Sequence, residues 1–228
     1  MVDGGVGRGT VPIMSVRAPR VDVLLAERPS WRGLLHTWAF WLAIPAGVLL
    51  IVFADRPAAR VAAAIYAATL LMVFGTSAAY HRLAQSYEAR RIMQRLDHAM
   101  IYLLIAGTYV PICLVALPRA WGISMLSVVG AMGLVGIILK LVAFARFEWV
   151  SYALYPLMGW AAVFAGPVLA DHLTGLQLAL VVGGGISYTV GFPILLLRRP
   201  DPWPKVFGYH EIWHGFTVLA AMLHFGAV

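Results

Sequence analysis

Six stretches of the chain run for 20 residues or more without an Asp, Glu, Lys or Arg: Gly33–Ala54, Val61–Tyr80, Ala99–Pro118, Ala120–Leu139, Trp149–Ala170 and Leu173–Leu197. A helix rises 1.5 Å per residue, so about 20 apolar residues cross the hydrocarbon core of a bilayer. A seventh stretch, from about Val206 to the C-terminus, is apolar except for His210, Glu211, His214 and His224. The expectation is an all-α polytopic membrane protein with seven transmembrane helices. Composition agrees: 61% of the 228 residues are hydrophobic, 12% are charged, and the mean hydropathy is +0.83. Soluble domains carry about a quarter charged residues, so a soluble enzyme, a disordered chain and a disulfide scaffold are excluded. Cys113 is the only cysteine.

The joints between stretches are short and marked by charge and proline, as at Asp55-Arg56-Pro57, Pro118-Arg119 and Arg198-Arg199-Pro200-Asp201-Pro202. The longest connection is expected over Arg82–Leu96, between the second and third spans. Lys and Arg fall unevenly on alternate sides of the spans, with fourteen on the side of the N-terminus and three (Arg56, Arg60, Arg119) on the other. By the positive-inside rule the N-terminus faces the cytoplasm and the C-terminus the outside, in the inner (plasma) membrane of the cell. Residues 1–30 are read as a basic, disordered cytoplasmic tail without a cleaved signal peptide, and 31–228 as the membrane domain. The net charge of +7 fits loops against an anionic lipid surface, so the partner is the bilayer and no nucleic acid is expected. No feature fixes the oligomeric state.

Ionisable groups inside spans are costly and mark functional sites. Three clusters lie at one depth. The second span ends in Ser77-Ala78-Ala79-Tyr80-His81, the third begins with Asp97-His98, and the seventh opens with His210-Glu211-Ile212-Trp213-His214. Residues four apart share a helix face, which pairs Ser77 with His81 and His210 with His214. Two imidazoles one turn apart plus a third from a facing helix make a good Zn2+ site, and three protein ligands leave the open position of a catalytic zinc. Asp97 and Ser77 are the candidate catalytic residues, Asp97 to take a proton from water and Ser77 to support it through a hydrogen bond. The same segment matches His-Glu-x-x-His, in which Glu211 would be the general base. Asp97 is favoured because it arrives from a different helix than the paired histidines.

The other histidines sort by position. His224 lies roughly 21 Å along the helix from His210 and His172 falls on the opposite side, so neither joins this metal. His98 is read as structural and His36 as a weak supporting candidate. Trp31, Trp38, Trp149, Trp203 and Trp213 are expected in interfacial belts. Gly183-Gly184-Gly185 is expected to permit close helix packing.

Ser77-Ala78-Ala79-Tyr80-His81, then Asp97-His98 leading to Ala106-Gly107-Thr108-Tyr109-Val110-Pro111, then Gly208-Tyr209-His210-Glu211-Ile212-Trp213-His214 resemble the hemolysin III branch of the progestin and adipoQ receptor family. The resemblance extends over about residues 30–228. It implies seven helices with a cytoplasmic N-terminus, and a zinc held by three histidines that fall on His81, His210 and His214, with Ser77 and Asp97 nearby. Eukaryotic members look like ceramidase-type lipid-amide hydrolases or receptors, and bacterial members carry a hemolysin label. The expected function is a zinc-dependent hydrolase of a lipid amide or ester. The alternative is a non-enzymatic pore-forming hemolysin or receptor with a structural zinc.

Overall fold

The computed structural model describes Leu24 and residues 27–228; most of the tail expected over 1–30 lies outside the described residues. The described residues form helices α1 (Leu34–Phe53), α2 (Pro57–Arg82), α3 (Tyr87–Pro111), α4 (Arg119–Val142), α5 (Glu148–Trp160), α6 (Gly166–His172), α7 (Gly175–Leu197) and α8 (Tyr209–Ala227). A π-helical turn, Ile112–Ala116, extends α3, and a 3-10 turn, Ala161–Ala165, joins α5 to α6. The result is six rods long and apolar enough to cross a membrane, ending with Glu148–His172 and Gly175–Leu197. The protein is therefore an all-helical, multi-pass membrane protein. The 19-residue α8 is a further rod, less apolar because its first two turns carry His210, Glu211 and His214.

The rods start and stop for local reasons. Ser86 caps α3, its hydroxyl accepting from the Ala89 amide at 3.1 Å. That start corrects the expected Arg82–Leu96 connection: the loop is only a short turn before Tyr87, and Asp97 sits well inside α3 rather than at its beginning. The segment carrying Glu88, Arg90, Arg91 and Arg95 is helical despite its charge, because an amphipathic helix can project beyond the hydrocarbon into the polar interface. Two prolines account for the irregular turns. Proline lacks the amide that would bond four residues back, and Pro111 directly precedes the π turn while Pro167 opens α6 just after the 3-10 turn. Thr174 and Gln177 form a capping box at the start of α7.

Sequence neighbours pack on one another, α1 on α2, α2 on α3, α3 on α4 and α7 on α8, and α8 closes back on α1. One core lies between α3, α4 and α5 around Tyr102, Val129, Tyr155 and Met158. A second lies between α1, α2, α3 and α8 around Tyr66, Leu70, Phe74, Leu104 and Ala221. Within the glycine run on α7, Gly184 serves packing: a Cβ there would run into the His224 ring, so only glycine admits that ring between α7 and α8. Cys113 is buried as a core residue. Trp31, Trp38, Trp149 and Trp203 are exposed. Trp213 is not a belt residue: it is buried, its ring meeting Phe192 and Tyr188 of α7.

Candidate metal centre

The start of α1, the ends of α2, α4 and α7, and the starts of α3, α5 and α8 all meet at one end of the bundle, and the polar residues gather there. His81 lies in the last turn of α2, Asp97 in α3, and His210 and His214 one turn apart at the start of α8. The opening turn of α8 is fixed by carboxylates that take its unpaired amides: Glu211 Oε2 accepts from the Gly208 amide at 2.8 Å, and Asp201 Oδ1 from the Tyr209 amide at 3.2 Å.

One ligand atom from each of His81, His210 and His214 lies within 4.8 Å of the others. His81 Nε2 and His210 Nε2 stand 3.2 Å apart. Tetrahedral zinc with Zn–N bonds of about 2.0–2.1 Å sets its nitrogens about 3.3 Å apart, so the pair already has the edge length of such a site. The donor set fits a divalent ion that takes imidazole, and the expected histidines are brought together. Asp97 Oδ2 is 3.9 Å from His81 Nε2. Ser77, on α2 one turn before His81, is buried; its hydroxyl lies beside the Asp97 carboxylate without a well-formed hydrogen bond.

Glu211 has a different occupation. It is buried, with one carboxylate oxygen on the Gly208 amide and the other paired with the Arg32 guanidinium. Both oxygens serve the fold, which leaves Asp97 as the carboxylate beside the histidines. His98 turns away: its Nδ1 meets the Gln94 carbonyl at 2.7 Å and its ring stands edge-on to Phe144. His172 and His224 bond to the carbonyls of Val168 and Val181.

The residues ahead of α1 form a clasp over this end. Arg28 donates to the carbonyls of Tyr80 and His81 at 2.7 and 3.0 Å, and its guanidinium lies over the Tyr80 ring. The Ser30 and Trp31 amides bond to the carbonyls of Lys205 and Val206. Gly33, at φ 82°, passes so near α2 that a Cβ there would stand 2.6 Å from His81 Cβ. That left-handed backbone and close approach both require glycine. Arg32 and Gly33 were not singled out from the sequence. Gly33 opens the first apolar stretch, but no spacing links it to His81.

The family model described as Haemolysin-III related matches residues 25–225. The chain is 33% identical over 218 residues to "Hemolysin-3" of Bacillus cereus, covering 94% of this chain and 96% of the relative. It is 32% identical over 189 residues to "Hemolysin-3 homolog" of Bacillus subtilis (strain 168), covering 82% and 85%. To the "Adiponectin receptor protein" of Drosophila melanogaster it is 28% identical over 184 residues, 69% of this chain and 39% of that protein.

Proposed function

The chain belongs to the haemolysin III family, a multi-pass plasma-membrane family akin to the adiponectin receptors, and from that premise we propose that it is a zinc-dependent hydrolase of a membrane lipid, cutting an amide or ester bond at the polar end of the bundle. The observation that carries this reading is a division of labour among carboxylates. Glu211 is held by Arg32 and the Gly208 amide, whereas Asp97 Oδ2 stands 3.9 Å from His81 beside the converging histidines.

Held by His81, His210 and His214, zinc supplies Lewis acidity, which polarises a carbonyl and lowers the pKa of water toward about 7. Asp97 takes the proton of the attacking water at Oδ2 and returns it to the leaving nitrogen or oxygen. The Ser77 hydroxyl, beside Asp97, is the group placed to donate to its carboxylate once that carboxylate turns toward it. In this reading residues 31–228 are one membrane domain, α8 is a seventh span, and the polar end faces the cytoplasm. The bond to be cut is then presented from the inner leaflet. The fourteen-to-three distribution of Lys and Arg supports that orientation.

A second reading draws on the names of the relatives, Hemolysin-3 and Adiponectin receptor protein: a pore or a receptor with a structural zinc. Structural zinc is ordinarily closed by four protein ligands, and the cluster offers three histidines. Single-turnover assays on zinc-loaded protein with a panel of lipid amides and esters separate the two. The expected result is cleavage by the wild type and by Glu211→Gln, and none by an Asp97→Asn protein that still holds zinc. Zinc-loaded wild type that cleaves no lipid, yet releases dye from liposomes, would establish the pore instead.

A further inference from the structure

One histidine at the polar end has no part in the chemistry above. His36, in the first turn of α1, is buried, and its ring lies flat on that of His214, with centroids 3.7 Å apart and planes 7° from parallel. Phe74 of α2 meets the same ring at 5.2 Å, tilted by 57°. His36 Nε2 is 2.9 Å from Thr217 Oγ1. That hydroxyl donates its single hydrogen to the His214 carbonyl at 2.8 Å, so toward His36 it can only accept. His36 is thereby assigned the tautomer with hydrogen on Nε2. Its Nδ1 has no hydrogen-bond partner in the protein.

These contacts act on His214 twice. The parallel stack leaves its ring no room to turn about the Cβ–Cγ bond without striking His36. The Thr217 hydroxyl ties His36 to the backbone turn that carries His214, so ring and backbone are held by one residue from another helix. We propose that His36 is a positioning residue for the metal centre, fixing the orientation in which His214 faces His81 and His210. The proposal rests on the metal reading above and adds a residue to it. Groups that orient a ligand histidine typically govern metal affinity by 10–100-fold, and a flat ring face does by contact what a hydrogen bond to the far nitrogen does elsewhere.

The test measures metal directly. Zinc affinity is read by competition with a chelator, and coordination geometry by the visible absorption of the cobalt-substituted protein, in wild type, His36→Ala, His36→Phe and Thr217→Val. The expected result is a loss of about 10–100-fold in affinity for His36→Ala, with an altered cobalt spectrum. His36→Phe keeps a flat ring against His214 and should lose less; Thr217→Val removes the tie without removing the stack and should also lose part of the affinity. Wild-type affinity and spectrum in His36→Ala, with only the thermal stability of the metal-free protein lowered, would show a packing residue and overturn the proposal. Should His36→Ala fail to accumulate, wild-type affinity and spectrum in both other variants overturn it equally. A wild-type protein that binds neither zinc nor cobalt would overturn the metal reading itself, a result distinct from a wild type that binds and a His36→Ala variant that binds as well.

Discussion

The seven histidines divide by what their nitrogens meet. His98, His172 and His224 each bond to a backbone carbonyl, and His36 to Thr217. His81, His210 and His214 instead face one another. Buried imidazoles that face one another are poorly satisfied unless a metal accepts their lone pairs. The purified protein is expected to carry about one zinc per chain, and His81→Ala, His210→Ala and His214→Ala should each lose most of it by elemental analysis. His172→Ala and His224→Ala should keep theirs; full zinc in all three site variants would show the site misassigned. This cluster was legible in the sequence because His210 and His214 are four apart on one helix and His81 ends a span at the same depth. Arg32 and Thr217 were not, because their partners Glu211 and His36 lie 179 and 181 residues away, and no local spacing announces such a pairing. Lys140 shows a further limit. Counted with the positive residues of one side, it is in fact fully buried, its ammonium over the rings of Tyr152 and Phe144.

At the scale of the element, apolar length located the six rods, and charge misplaced one boundary. A search for uncharged runs stops at Arg95 and Asp97, whereas α3 continues back to Tyr87, a projection of about 15 Å beyond Asp97. That projection lets α3 present Asp97 from its side, with backbone hydrogen bonds above and below it, rather than from a frayed end. The π and 3-10 turns were also missed, since proline inside a span marks where a helix is weakened but not which irregular turn it adopts. Of the glycine run on α7, Gly183 and Gly184 face α8, and the tightest point is testable. Gly184→Ala places a methyl on the His224 ring, and overpacking of this kind costs about 1–3 kcal/mol. Its melting temperature should fall while zinc content is unchanged, because His224 bonds to the Val181 carbonyl, away from the histidine cluster. Gly185→Ala, where a Cβ meets nothing within 4 Å, should melt as the wild type does.

For the molecule as a whole, the ends of the rods predict its placement in the membrane. A reporter fused after Val228 should behave as extracytoplasmic and one inserted at Arg90 as cytoplasmic; the reverse pattern would overturn both the orientation and the inner-leaflet delivery proposed above. The same end is where chain order and spatial order differ most. Arg32 precedes α1 and Glu211 lies in α8, 179 residues later. At about 5–20 residues per second of synthesis, that interval is about 10–40 s. Throughout it Arg32 has no Glu211, and His81 waits without His210 or His214. The histidine cluster can therefore assemble only once α8 has been made, so a chain released before α8 would hold His81 in the membrane with neither of the imidazoles that face it.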